Sequence, residues 1–307
     1  MGLFIIRRIG QGLVVVVAAT IVVFLLTRAF TDPVDFILPL EATQEEREAR
    51  EAELGFDRPL VVQFGDYVSD LARGDFGDSL WQPGRSTMDI VGQTLPKTLQ
   101  LVAAGMFLAI ALALPLGMIA ALRPGSILDR LLVTLSLAGL SIPQFFVGLL
   151  LIIIFAVQFQ WLPVGGYGGL KHIILPAIAL ALPALGRLTM VVRSAMIDEL
   201  NSQYVRAAKA KGMPTRTVVA KHSLRNAGVQ VLTLSGWEIT RALAGFTVVV
   251  ERVFAWPGFG FFALEAIQRR DLFLLSTIVL IAAVLVVAIN VIVDILYKAI
   301  DPRIELS

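Results

Sequence analysis

The chain has 307 residues, 57% of them hydrophobic and only 16% charged, with a mean hydropathy of +0.79. A soluble domain carries about a quarter charged residues, so an ordinary water-soluble fold is excluded. The net charge of +2 gives no indication of a nucleic-acid partner. The absence of cysteine removes disulfides, thiolate nucleophiles and thiolate metal sites, and His172 and His222 have no companion ligands in sequence.

Six stretches are apolar enough to cross a hydrocarbon layer that needs roughly 20 helical residues. The first, residues 9–27, follows Arg7 and Arg8 and has no small-residue cleavage site, so it reads as a retained span and not a signal peptide. Residues 31–96 then form a small cap. Thr43 precedes Glu46 at capping-box spacing, which predicts a polar helix from Gln44 to Leu54 stopped by Gly55. After Pro59, apolar residues at helical spacing from Leu60 to Leu71 predict a second short helix, packed on the first or on the membrane surface.

Residues 98–122 are the second span, uncharged and containing Pro115 and Gly117. The third begins near Leu131 and ends near Phe159, leaving Trp161 and Tyr167 at headgroup level. The fourth, 173–192, holds Pro176 and Pro183 and is expected to be the least regular. The fifth, 229–250, carries Glu238 and Arg241, and the sixth, 272–293, ends before Asp294 and Lys298.

Charge bias sets the expected orientation. Residues 193–225 hold seven Arg or Lys against two acids, whereas 31–89 hold fourteen acids against five arginines. The basic loop, with Arg7 and Arg8, is expected in the cytoplasm and the acidic segment outside; an even span number puts both termini in the cytoplasm. The expected divisions are 1–30 (cytoplasmic tip and first span), 31–96 (extracytoplasmic cap), 97–297 (core with five spans and cytoplasmic loop 193–228) and 298–307 (cytoplasmic tail).

Three regions stand out chemically. Within the basic loop, residues 204–212 predict a short helix ended by Gly212, with Met213-Pro214 preventing continuation and Thr215 opening a second helix. Small Ala207 and Ala208 with a basic rim suit docking into a groove of a soluble partner; anchoring to anionic membrane lipid is the alternative. Glu238 and Arg241 share a helical face. Three readings are open for them: a structural pair held against a partner helix or Arg187, a cavity pair receiving a zwitterionic substrate, or exposure near the cytoplasmic end.

In Ser141-Ile142-Pro143-Gln144, Pro143 removes a helical donor and Gln144 offers a donor and an acceptor, giving either a packing kink or a path element. The segment with Glu251, Trp256, Pro257 and Gly258 reads as a re-entrant cap over the outer mouth or as an aromatic interface anchor. The acidic cap reads as a docking face or as an ordinary solvated one. No Gly-x-x-x-x-Gly-Lys-Ser/Thr loop is present, so any ATP-driven process takes its energy from another polypeptide.

Residues 204–212, followed by His222-Ser223-Leu224-Arg225-Asn226-Ala227, resemble the coupling loop of binding-protein-dependent ABC importer permeases, whose general form is Glu-Ala-Ala, three residues, Gly. Ala207, Ala208 and Gly212 match it. Arg206 stands where the glutamate would be and Arg225 where many members have proline, departures usual in the dipeptide, oligopeptide, nickel and glutathione branch. Leu54-Gly55-Phe56-Asp57-Arg58-Pro59-Leu60, Gly74-Asp75-Phe76-Gly77-Asp78-Ser79, Ser141-Ile142-Pro143-Gln144-Phe145, Leu162-Pro163-Val164-Gly165-Gly166 and the run from Val249 to Gly260 fit that branch in family order.

The resemblance implies an all-α, six-helix membrane subunit of the type I importer permease fold, in a bacterial inner membrane and not itself an enzyme. Its implied partners are a second homologous permease, two ATP-binding subunits that hold ATP and Mg, and an extracytoplasmic substrate-binding protein. Peptides are the leading substrate, with nickel, glutathione or haem-like cargo as alternatives; this chain needs no cofactor, metal or nucleic acid. Tyr204, Arg206, Ala207, Ala208, Lys209, Lys211, Gly212, Met213 and Pro214 are the implied coupling residues, and Pro143, Gln144, Glu238, Arg241, Glu251, Trp256, Pro257 and Gly258 the candidate path or gate. A proton-coupled secondary transporter using Glu238, or a membrane scaffold or enzyme, is the competing class.

Overall fold

The computed structural model describes residues 2–29, 34, 38, 42–214, 217 and 224–300. Helices α1 (Gly2–Phe24), α2 (Gln44–Leu54), α3 (Leu60–Ala72), α4 (Thr87–Leu122), α5 (Ile127–Ser141) and α6 (Gln144–Leu151) are followed by α7 (Leu170–Leu200), α8 (Gln203–Ala210), α9 (Leu224–Arg241), α10 (Thr247–Val253), α11 (Phe259–Gln268) and α12 (Leu272–Ile300). Wide π-helical turns continue α1 over Leu25–Ala29, α6 over Ile152–Gln158 and α9 over Ala242–Phe246. The fold is all-α, with one isolated bridge between Asp78 and Ser86 among the described residues.

Among the described residues, four helical segments are long and apolar enough to cross a membrane: Ile6–Arg28, Thr87–Leu122, Leu170–Leu200 and Leu272–Leu296. Ile127–Ser141 and Gln144–Gln158 pass the same test together, but they meet at 102°. The third predicted span is therefore a bent pair. Pro143 lacks an amide proton and holds Ile142 extended at φ −84°, ψ 126°, which ends α5. In the region of the fifth predicted span, α9 and its wide turn are interrupted at Gly245 (φ 128°), so this region is not one regular helix.

Other helix limits also shift. α4, which holds the second predicted span, begins at Thr87, well before its uncharged stretch, because residues 87–97 continue the same helix. The last helix runs on to Ile300, past Asp294. The fourth predicted span, expected to be the least regular, is a continuous helix of 31 residues despite Pro176 and Pro183. Neighbouring helices cover it: 61% of its most apolar stretch is buried, against 17–33% in the other three.

The chain divides into two compact units. One gathers Met1–Thr98 and Pro257–Ala288. Here Thr43 caps α2 through both bonds of the capping box, donating its N–H to Glu46 Oε2 (2.9 Å) and accepting from Glu46 N–H (3.3 Å). The Thr43 N–H foremost, and the Thr43 hydroxyl that also donates to Oε2 (3.0 Å), hold the Glu46 carboxyl below its ordinary range. α3 packs on the end of α1, with Phe24 5.1 Å from the Phe64 ring and 5.6 Å from Tyr67. Burial pushes the Tyr67 phenol up to about 12. Asp271 is fully buried and accepts from Ser79 Oγ, Trp81 N–H (3.1 Å) and Leu274 N–H (3.0 Å), which ties the turn after α3 to the start of α12.

The other unit gathers Leu99–Trp256 and Ile289–Ser307 around α7. Its core holds Leu101, Leu175, Leu188, Val192, Met196, Phe254 and Trp256. The predicted helix opening at Thr215, the residues His222 and Ser223, and the tail beyond Ile300 lie outside the described residues.

Candidate functional site

Within the second unit, an open cavity of about 250 Å³ is lined by Met106, Pro143, Gln144, Pro183, Arg187, Glu238, Arg241 and Phe246, among others. α4 supplies Met106, the break before α6 supplies Pro143 and Gln144, α7 supplies Pro183 and Arg187, and α9 with its wide turn supplies Glu238, Arg241 and Phe246. The Glu238 side chain is 5% exposed and accepts a two-pronged ion pair from Arg187, Nε to Oε1 and Nη2 to Oε2 at 2.7 Å. The planar fork of a guanidinium matches both carboxylate oxygens, which makes a buried carboxylate tolerable. Arg241 Nη1 lies 4.0 Å from Glu238 Oε1, and its guanidinium sits 4.3 Å from the Phe246 ring centre. Two cations thus share one carboxylate, leaving the wall with an excess of positive charge.

Four of the eight predicted path residues, Pro143, Gln144, Glu238 and Arg241, meet on this cavity. Glu251, Trp256, Pro257 and Gly258 do not line it. Glu251 and Trp256 are buried, and the Trp256 ring packs edge-on against Tyr167 at 5.0 Å, so Trp256 is core and not an interface anchor. The Gly166 N–H donates to the Phe254 carbonyl at 2.7 Å, which joins two loops that sequence treats separately. Phe246 escaped sequence reading, since nothing in an apolar run singles out one phenylalanine.

The predicted coupling segment forms α8. The Met213 N–H donates to the Ala208 carbonyl (3.2 Å) across Gly212, whose φ of 78° needs a residue without a side chain. Arg206, Ala207 and Lys211 are exposed, Ala208 and Met213 are half-buried, and Pro214 is exposed; the Lys209 side chain lies outside the described set. The Tyr204 hydroxyl donates to Glu199 at the end of α7, and Val205 is fully buried. A short, rigid, basic helix is thereby fixed to the longest buried helix of its unit.

Residues 113–306 match the family described as "Binding-protein-dependent transport system inner membrane component", and residues 1–102 match the family of its N-terminal part. The chain is 36% identical to the oligopeptide transport system permease protein AppB of Bacillus subtilis (strain 168), over 99% of this chain and 100% of that protein. It is 37% identical to the di/tripeptide transport system permease protein DppB of Pseudomonas aeruginosa (strain UCBPP-PA14), over 98% of each. A solved structure of the MetNI methionine ABC transporter in an inward-facing conformation has a similar fold, with a TM-score of 0.60 and 19% identity over 69% of this chain and 97% of that one.

Those matches displace the proton-coupled, scaffold and enzyme alternatives. The chain belongs to the multi-pass inner-membrane permeases of binding-protein-dependent ABC importers, in the branch that contains oligopeptide and di/tripeptide permeases.

Proposed function

We propose that this permease imports dipeptides or oligopeptides, and that with a homologous partner permease it encloses a path on which the Arg187–Glu238–Arg241 cluster meets the cargo. The observation carrying this reading is the excess positive charge on the cavity wall, with Gln144 beside it. A peptide brings a terminal carboxylate to such a wall and amide groups to Gln144.

In this reading the chain crosses the membrane six times, the bent pair forming one crossing and α9 with its wide turn and α10 another. Both termini are cytoplasmic and residues 31–96 form the extracytoplasmic cap. Of two ATP-hydrolysing subunits, one docks at Tyr204 to Pro214, and an extracytoplasmic binding protein delivers cargo. The charge bias of the loops and the relatives' printed functions support this arrangement.

Uptake by the reconstituted importer of a free peptide and its carboxyl-amidated form tests it. Arg241→Gln is expected to raise the KM for the free peptide about tenfold, the scale of one charge-assisted hydrogen bond, and to abolish the preference over the amide. Equal changes for both peptides would refute the carboxylate assignment. Uptake of nickel chelates, glutathione or haem, with no peptide uptake, would refute peptide cargo.

A further inference from the structure

α7 carries two guanidinium groups, Arg187 and Arg193, six residues apart, which places them on different faces of the helix. Arg187 serves the cavity. Arg193 instead reaches the first turn of α5, where Asp129 accepts from both its Nε and its Nη2, the latter at 2.8 Å. The Asp129 side chain is 3% exposed and also accepts from the Gly125 N–H at 2.7 Å, while its own N–H donates to the N-cap Ser126 Oγ at 3.2 Å. The carboxylate is thus held by its own helix start and by the neighbouring helix together.

Two turns further along α5, the helices touch backbone to backbone. A side chain on Gly186 would lie 2.6 Å from the Ser136 carbonyl oxygen, so only glycine allows this crossing. α5 then ends at Pro143, the joint beside the cavity. At the other end of the chain of contacts, α7 leads within three residues into α8, with Tyr204 bonded back to Glu199.

We propose that Asp129 and Arg193 are positioning residues that make α5 follow α7, so that a displacement of α8 reaches the Pro143 joint and moves the Pro143–Gln144 wall. Two points on α5, the Asp129 clamp and the Gly186 crossing, prevent it from rotating about either one alone. A single close crossing would let the helix pivot and lose the motion. This inference rests on α8 being the contact with the ATP-hydrolysing subunits.

The test is substrate taken up per ATP hydrolysed, measured in vesicles holding the full importer with its binding protein. Asp129→Asn and Arg193→Gln are each expected to lower that ratio about fivefold or more while the complex assembles and hydrolyses ATP. The double variant should be no worse than the more severe single one, because the residues act as one unit. Arg193→Lys should recover part of the ratio, keeping the charge without the fork.

A wild-type ratio in the assembled Asp129→Asn complex would overturn the proposal. So would additive losses, or a fall in assembled complex whose surviving fraction keeps the wild-type ratio. Wild-type vesicles without ATP-dependent uptake would instead remove the importer reading, a result visible before any variant is compared.

Discussion

Glu238 shows what one ionised side chain demands in an apolar bundle. Desolvating a carboxylate costs several kcal/mol, and the two-pronged bond from Arg187 offsets most of that cost. Glu238→Gln leaves both arginines without a counter-charge, so uptake by the assembled complex is expected to fall at least tenfold; loss of assembly alone would show the pair to be purely structural. Further out, Thr43→Ala removes the cap of α2, and amide exchange in its first turn should quicken about fivefold. Tyr67 can be followed by its ultraviolet titration. Its raised pKa means burial favours the neutral phenol, a contribution present below pH ~10 and lost as pH rises through about 12. Tyr67→Phe should delete the tyrosine step near pH 12. The sequence displayed the Thr43–Glu46 box and the Glu238–Arg241 spacing because both are local. The Asp129–Arg193 pair spans 64 positions, a separation that no local pattern signals.

At the scale of elements, local chemistry was legible and long-range support was not. Gly55 and Gly212 end their helices as their sequence neighbours indicate, since a left-handed stop is written in one residue. Gly212→Pro forces φ near −65° where 78° is needed, so the end of α8 should unwind. Uptake per ATP should then drop while the protein still inserts in the membrane; normal coupling would show that the shape of this helix end is dispensable. Pro143 and Pro183 illustrate the opposite situation: the same residue type breaks one helix and is absorbed by another. What separates them is the burial of α7 among its neighbours, a property of the packed unit that no window of sequence contains.

For the molecule as a whole, hydropathy made the membrane class plain and charge bias suggested an orientation, yet neither reveals that the third predicted span is two helices meeting at 102°. The lack of cysteine makes topology directly measurable. A single cysteine at Arg206 should react with an impermeant thiol reagent only from the cytoplasmic side, and one at Glu48 only from outside; the reverse pattern would invert the orientation. The π-helical turn at Ala242–Phe246 has a further consequence. The Thr247 backbone N–H donates to the Ala242 carbonyl five residues back, the mark of a coil carrying one residue more than its α-helical counterpart. Loss of a single codon here would take up that extra residue and return the turn to ordinary α-helical width, leaving the direction of the helix beyond it little changed. The surplus residue thus acts as a spare link, and removing it is felt at the Phe246 ring beside Arg241 and hardly beyond, with no amino acid exchanged for another.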